Sequence, residues 1–164
     1  PDRVSDTIIR PARSADSGAL GRLGALLVQT HHDFDPKRFI AVTPQTEAGY
    51  GTFLVSQLDE PNVIILVGEE DGRVIGYTYA AVEGRDYMSL RGPAGVLYDI
   101  IVDPAHRGRG IGRRLLEATL AILKERGAPR AVLSTADRNE RAQHLFAGIG
   151  FRRTMIEMTR ELSD

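Results

Sequence analysis

Apolar residues follow a helical period near the start of the chain. They recur at helical spacing over residues 20–28, after Ser14 to Asp16, which offer N-cap chemistry, so a helix is predicted here that ends before His31. A second helix is predicted from about Gln45 to Leu58, because Pro61 cannot continue a helix. The first third of the chain is therefore expected to be mainly helical.

The period changes to that of β-strands in the middle of the chain. Thr7–Arg10 is a short β-prone segment, and Asn62–Glu69 is a longer, continuous apolar run. Val74–Val82 then alternates between apolar and polar positions, and Asp71-Gly72 between the two runs is typical of a tight turn. These patterns predict an antiparallel hairpin.

A strand, a helix and a second strand follow one another in the last third of the chain. Val96–Val102 is an apolar strand, residues 111–123 carry the apolar face of a helix that Gly127 ends, and Arg130–Thr135 is again a strand. A unit of this kind has parallel strands joined by a crossover helix.

Two more elements are predicted after this unit. Asp137-x-x-Glu140 has the form of a capping box and starts a helix that Gly148 and Gly150 end. Phe151–Leu162 is predicted to be a final strand.

The loop between the strand and the crossover helix has the chemistry of an anion site. It reads Arg107-Gly108-Arg109-Gly110-Ile111-Gly112, with three alternating glycines beside two arginines. A helix leaves its first N–H groups unpaired and carries partial positive charge at that end, and glycine lets a ligand approach the backbone closely. The loop therefore suits a pyrophosphate better than a neutral ligand.

Composition limits the classes of function. A length of 164 residues suits a single domain, residues 1–164, and 21 basic against 22 acidic residues give no overall field that would attract nucleic acid or a membrane. The chain contains no cysteine, so no cysteine can form a covalent intermediate. Residues 1–9 lack a basic-then-apolar leader, so we expect a soluble, cytoplasmic protein.

Two motifs together resemble the GNAT superfamily of acyl-CoA-dependent N-acyltransferases. One is the Arg-x-x-Gly-x-Gly loop of residues 107–112, which follows a strand ending Val-Asp-Pro, and the other is Asn-x-x-Ala-x-x-Leu-Phe of residues 139–146, followed by Gly-Phe at 150–151. The resemblance covers nearly the whole chain. It implies an α/β fold with a mostly antiparallel sheet of six to seven strands, a splayed parallel pair and about four helices.

The resemblance also implies how acetyl-CoA binds and is used as the acyl donor, without a metal. Main-chain groups along residues 100–102 would bind the pantetheine and polarise the thioester, and Asn139 and residue 146 would border the same cofactor arm. The implied cofactor-binding residues are Ile100, Ile101, Val102, Arg107, Gly108, Arg109, Gly110, Ile111, Gly112, Asn139 and Phe146.

Two residues are candidates for the proton transfers. Asp99 lies on the strand that leads into the loop and is the candidate base for the acceptor amine, although strand alternation puts it beside Leu97 and Ile101 unless a bulge intervenes. Members of the superfamily often carry a tyrosine acid where Phe146 stands, and a phenylalanine cannot donate a proton. The thiolate would then be protonated by water, by Tyr98 or by the substrate ammonium.

Several alternatives stay open at this level. A dinucleotide-binding protein fits less well, because the glycine spacing and the loop's offset from its strand differ from the Rossmann fingerprint. A non-catalytic acyl-CoA sensor of the same fold is a second alternative. For His31-His32-Asp33, a position in a substrate-side loop is favoured over a metal site, because adjacent residues rarely bind one ion together. The acceptor is expected to be a small-molecule or peptide amine, and Met155, Ile156 and Met158 make a homodimer plausible.

Overall fold

The computed structural model, which describes residues 6–163, contains one five-stranded sheet with helices on both faces. The strands lie in the sheet in their order along the chain. The elements are β1 Ile8–Pro11, α1 Ser17–Phe34, α2 Thr46–Ser56, β2 Val63–Glu70, β3 Arg73–Glu83, β4 Ala94–Val102, α3 Ile111–Glu125, β5 Ala131–Leu133 and α4 Glu140–Ile149.

The sheet combines an antiparallel part with one parallel pair. β1 to β4 pair antiparallel in sequence, and β5 pairs parallel with β4 across the α3 crossover. The predicted hairpin turn is confirmed, with Asp71 and Gly72 at φ 51° and 75° between β2 and β3. Asp and Gly tolerate this left-handed conformation better than most residues, so the turn follows from its sequence.

The first helix is longer than predicted. α1 continues through His31 and His32 to Phe34, and the Asp35 N–H donates to the carbonyl O of His31 at 3.1 Å. Some polar side chains of its last turns bond within the helix: the Thr30 hydroxyl donates to the carbonyl O of Leu26 at 2.8 Å, and His31 Nδ1 donates to that of Leu27 at 2.8 Å. The prediction that a loop begins at His31 is therefore wrong.

The predicted strand over Phe151–Leu162 is also absent from the described residues. Residues 151–163 form neither helix nor strand, and nearly all of their side chains are exposed. Strand propensity requires a neighbouring edge to pair with, and β5 has only three residues paired with β4. The sheet of residues 6–163 thus has five strands rather than the expected six to seven.

Two apolar cores lie on opposite faces of the sheet. Residues Leu20, Leu23 and Leu54 of α1 and α2 pack on one face, together with Tyr77 of β3. Leu115 of α3 and the buried residues around it, including those of α4, pack on the other. The core that a strand residue joins therefore depends on the face of the sheet to which its side chain points.

Close contact between α1 and α2 depends on glycines. A Cβ at Gly21 would lie 2.2 Å from the carbonyl O of Glu47, and one at Gly51 would lie 2.4 Å from the carbonyl O of Ser17. Each atom that would be too close belongs to the backbone of the facing helix, so no side-chain rotation relieves the contact. The two helices are held at this distance by the lack of side chains.

We expect Gly21→Ala to lower the free energy of unfolding by about 1–3 kcal/mol, because the new methyl group pushes α2 away. Gly18→Ala is the matched control, since Gly18 lies in the same helix and has no atom within 4 Å of its added Cβ. Alanine at position 18 should be neutral or stabilising. Urea unfolding of both variants measures the difference, and equal stability of the two would contradict the packing argument.

Candidate active site

A β-bulge in β4 determines the direction of the acidic residue in this strand. The register pairs Tyr79 with Asp99 and Ala80 with Leu97, so Tyr98 is an extra residue with no partner on β3. Leu97 consequently packs in the α3 core, whereas Ile101 packs in the α1 core. The alternation that groups Leu97 with Asp99 and Ile101 is wrong at Leu97, because the bulge adds one residue.

Asp99 lies on the α1 face of the sheet between two tyrosines. Its Oδ2 accepts a hydrogen bond from the hydroxyl of Tyr50 at 2.6 Å and from that of Tyr77 at 2.8 Å. Its Oδ1 accepts none from the described residues and is not sealed from the cavity that Asp99 borders. The carboxylate is thus held by one oxygen and open to a ligand at the other.

Burial sets the proton affinity of this group. Asp99 is 9% exposed, and desolvation raises its pKa above the ordinary aspartate value, although the two tyrosine hydrogen bonds oppose the shift. The pKa values of Tyr50 and Tyr77 are both raised, first by burial and then by the charge of Asp99. The two phenols therefore stay protonated and remain donors, and the carboxylate binds a proton more strongly than usual.

The parallel strands β4 and β5 separate beside Asp99. Their pairing runs from Gly95 and Ala131 to Leu97 and Leu133, and no described strand continues it along the rest of β4. The remaining residues of β4, 98–102, thus have an open edge on this side. The gap passes through the sheet from the α3 face to the α1 face.

Hydrogen bonding shows which backbone groups face the gap. The Asp103 N–H donates to the carbonyl O of Ile75 on β3 at 2.7 Å. In an antiparallel pair every second residue directs its backbone N–H and C=O to the same neighbour. The backbone groups of Ile101 therefore point to β3, and those of Ile100 and Val102 point to the gap. The expectation of main-chain contact with a cofactor at Ile101 does not fit this pattern. The backbone groups that face the gap are those of Ile100 and Val102.

The glycine loop brings the start of α3 to the same gap. Gly108 and Gly110 have φ of 77° and 78°, a region that side chains disfavour, and Gly110 is the residue that precedes the helix. The first intrahelical hydrogen bond runs from Arg114 N–H to Gly110 O at 3.0 Å, so the N–H groups of residues 111–113 are left for a ligand. Gly112 lies in the first turn of α3 and has an ordinary helical backbone.

The arginines near the loop differ in what they contact. Arg109 pairs with the carboxylate of Glu70, with Nη2 2.6 Å from Oε1, and its side chain anchors the loop to the end of β2. Arg107 Nε donates to the carbonyl O of Val102 at 3.1 Å. Burial, followed by the charge of Arg141, lowers the pKa of Arg107. Two facing cations of this kind form a site that an anion stabilises.

Asn139 caps α4. Its Oδ1 accepts a hydrogen bond from the N–H of Ala142 at 3.1 Å, so the capping role assigned to Asp137 is wrong. The Asn side chain completes the helix start, whose first N–H groups lack partners of their own. Its amide nitrogen has no hydrogen-bond partner among the described residues, and Asn139 borders the cavity.

Phe146 and Tyr98 differ in exposure, and neither offers a proton to a thiolate. Phe146 is buried in the α3 core and packs edge to face on Phe151, with ring centroids 5.9 Å apart. The Tyr98 hydroxyl donates to the carboxylate of Glu83. Tyr98 therefore holds its proton towards β3, which does not fit the expected acid role.

One cavity of about 730 Å³ joins these groups. It is bordered by every predicted site residue except Arg109. It also reaches residues for which the sequence analysis assigned no role in the site, namely Arg113 and Arg141 at the cofactor end and Leu27, Val28, Phe34, Phe39 and Ile40 at the α1 end. The apolar residues of α1 look like core in the sequence, and the charge pair of Arg107 and Arg141 is apparent only when α4 is placed.

The described residues contain no group of three or more His, Cys, Asp or Glu side chains placed to hold a metal ion. His31 and His32 each bond a backbone carbonyl, with Nδ1 2.8 Å from Leu27 O and 2.9 Å from Phe39 O respectively. Over the same residues, no helix has the length and apolar character needed to cross a bilayer.

The open edge of β4, the amino terminus of α3 and a buried carboxylate meet in one cleft of a split sheet. The family model described as acetyltransferase (GNAT) family matches residues 27–151, and the chain belongs to this family. The expected superfamily and its fold are therefore confirmed.

Relatives agree with this assignment, and a solved structure has the same fold. The chain is 34% identical over 96 residues to a mycothiol acetyltransferase of Thermobispora bispora, covering 56% of this chain and 31% of that protein. It is 28% identical over 145 residues to the uncharacterized N-acetyltransferase YhfO of Bacillus subtilis, covering 87% and 88% respectively. A variant of the BH1408 protein of Bacillus halodurans has a similar fold, with a TM-score of 0.82 at 23% identity, covering 95% of this chain and 99% of that one.

The chain spans no more than about a third of the length of the mycothiol acetyltransferases that it matches.

Proposed function

We propose that the chain transfers an acetyl group from acetyl-CoA directly to a primary amine, with both substrates bound together. The observation that carries this proposal is the cavity itself, in which the α3 amino terminus, the open edge of β4 and Asp99 border one space. A pyrophosphate at the helix start would leave the pantetheine arm to run along β4 towards the carboxylate. This order of the three groups along one cavity supports acyl transfer from a thioester.

The cofactor-binding roles follow from the contacts of each residue. The N–H groups of residues 111–113 and the charges of Arg107 and Arg141 are proposed to hold the pyrophosphate, with Gly108, Arg109 and Gly110 contributing backbone. Main-chain groups of Ile100 and Val102 would hydrogen-bond the pantetheine, with the side chains of Ile101 and Phe146 as wall and the Asn139 amide as a further donor.

The chemical step needs a free amine and a stabilised oxyanion. Asp99 Oδ1 takes a proton from the acceptor ammonium, whose pKa is about 10.4 for an alkylamine. The amine nitrogen then attacks the thioester carbon and the C–N bond forms. The C–S bond breaks, and the second proton that the nitrogen loses passes through water to the departing sulfur or to the solvent. The N–H of Ile100, at the open edge of β4, would bond the developing oxyanion, a contribution typically worth about 3 kcal/mol.

The departing group does not need a strong acid. A thiol has a pKa of about 8.5, so CoA leaves as a thiolate or takes a proton from water near neutral pH. This accounts for a site in which Phe146 has no proton and the Tyr98 hydroxyl is bonded to Glu83. Protonation through water and protonation by the substrate ammonium are the routes that these contacts leave open.

Calorimetric titration with acetyl-CoA, followed by an assay of acetyl transfer to an amine panel, tests the proposal. We expect micromolar binding that is lost in a variant combining Arg107→Ala with Gly110→Trp, and we expect no shift of the melting temperature with NAD(H). Acetyl-CoA binding without transfer to any amine would instead support the non-catalytic acyl-CoA sensor. Absence of acyl-CoA binding would refute both functions.

A homodimer is proposed from the exposed end of the chain. Met155, Ile156 and Met158 are 71%, 71% and 86% exposed on a segment that pairs with no described strand. Exposed apolar residues gathered on one segment are typical of an interface. Light scattering should give twice the chain mass, and a monomer at micromolar concentration would refute the dimer. A cytoplasmic location stays a prediction.

A further inference from the structure

The end of the cavity near α1, here called the acceptor half, has an apolar wall. It lies on the face of the sheet towards which Asp99 points and away from the glycine loop, so it is the part left for the acceptor when acetyl-CoA fills the rest. Its apolar lining consists of Leu27, Val28, Phe34, Phe39, Ile40 and Tyr98.

The polar groups of the acceptor half are mostly occupied by the protein itself. The Thr30 hydroxyl donates to the carbonyl O of Leu26 at 2.8 Å, and His31 Nδ1 donates to that of Leu27 at 2.8 Å. The Tyr98 hydroxyl donates to Glu83, and Arg138 Nη1 donates to the carbonyl O of Phe34. A ligand rich in hydroxyl groups would therefore lose hydration here without finding enough partners.

Three side chains of this half, Asp99, His31 and Arg138, keep polar atoms without a hydrogen-bond partner within the described residues. Asp99 Oδ1 is one, and its charge favours a cation. His31 Nε2 is the second, since the His31 bond to Leu27 O uses Nδ1, and the ring packs edge-on against Phe39 with centroids 5.2 Å apart. Nε and Nη2 of Arg138 are the third group, and their positive charge disfavours a second ammonium. One ammonium group is thus matched by one carboxylate, and a second ammonium would meet apolar side chains.

We propose that the acceptor half takes a primary amine carried on an apolar or aromatic body. The inference rests on the proposed transferase function and adds the class of its acceptor. The ammonium meets Asp99, and the body of the amine packs against Phe39 and Ile40 towards the mouth of the cavity, where Ile40 is 76% exposed. Amino sugars and polyamines should be poor acceptors, because their further polar or charged groups lack partners.

The test compares kcat/KM for 2-phenylethylamine, glucosamine and spermidine with acetyl-CoA as the donor. We expect kcat/KM for 2-phenylethylamine to exceed the values for glucosamine and spermidine by about tenfold or more. Phe39→Ala should lower the value for 2-phenylethylamine about tenfold and change that for spermidine much less. Ile40→Asp adds a carboxylate, so it should raise kcat/KM for spermidine relative to that for 2-phenylethylamine. Because Ile40 is exposed, this substitution does not disturb the core.

Tyr87→Ala is the matched control, because Tyr87 is an aromatic residue 72% exposed on the β3–β4 connection and does not border the cavity. It should leave all three values unchanged. A wild-type preference for glucosamine or spermidine overturns the acceptor class while leaving the transferase function intact. Equal losses for all three amines in Phe39→Ala also overturn the acceptor class. If neither these three amines nor any amine of the wider panel is acetylated, both proposals are overturned.

Discussion

Asp99→Asn is expected to lower kcat/KM for amine acetylation by about 10²- to 10⁴-fold near pH 7, the range typical of a lost general base. The substitution keeps the shape of the side chain and the oxygen that Tyr50 and Tyr77 contact, so the binding of acetyl-CoA should change little. Asp71→Asn, which removes one charge at the exposed hairpin turn, is the control and should keep full activity.

The pH profile separates a base from a structural carboxylate. Wild-type activity should fall with decreasing pH as Asp99 becomes protonated, at a pH above the ordinary aspartate pKa of about 3.9, because burial raises the pKa of this group. Asp99→Asn should instead gain activity about tenfold per pH unit between about pH 7 and 9, as the free amine becomes more abundant. A variant with full activity across pH 6 to 9, a range spanning a roughly neutral base, would show that Asp99 is not the base.

The same substitution should not destabilise the fold at neutral pH. Because burial raises the folded-state pKa of Asp99, ionisation of this carboxyl group lowers the free energy of unfolding. This loss of stability is fully present above the folded-state pKa and absent below the unfolded-state pKa. Scanning calorimetry should therefore give Asp99→Asn a melting temperature at pH 7.5 no lower than that of the wild type. The difference between the two proteins should shrink as the pH falls through the folded pKa.

Gly112→Leu is expected to weaken acetyl-CoA binding by more than about a hundredfold, or about 2.8 kcal/mol. A Cβ at position 112 would lie 3.6 Å from Val102 and 3.8 Å from Leu145, inside the cavity. The longer side chain would occupy the space assigned to the cofactor at the start of α3, and the helical backbone at this position accepts leucine without strain.

Two controls distinguish blockage from misfolding. Gly112→Ala makes only ordinary contacts and should weaken binding far less than leucine does. Gly49→Leu places the same residue on α2, where no atom lies within 4 Å of the added Cβ and the cavity is not reached. Calorimetric titration measures all three, and tight binding by Gly112→Leu would place the cofactor elsewhere.

Local patterns predicted the elements whose stabilising contacts lie close in sequence. The Asp71-Gly72 turn, the glycine loop before α3 and the parallel β4–α3–β5 unit follow from residues within each segment. Residues 151–163 were predicted wrongly because strand formation depends on an edge supplied by another part of the structure.

The candidate site, like the fold, was predictable where it depends on residues close together in the sequence. The backbone groups of the loop lie where the motif indicates, and all but one of the predicted residues border one cavity. The bulge at Tyr98, the tyrosines that hold Asp99 and the approach of Arg141 to Arg107 all depend on contacts between distant segments. A single sequence contains no local signal for contacts of that kind.

The separation of β4 from β5 has a kinetic consequence. A closed sheet would be a wall between the α1 and α3 cores, whereas here the gap lets a ligand on each face reach the other. Under the proposed function, donor and acceptor approach from opposite sides and neither obstructs the other's entrance. Initial-rate plots should then show intersecting lines, and the order of binding should be set by affinity rather than by steric access.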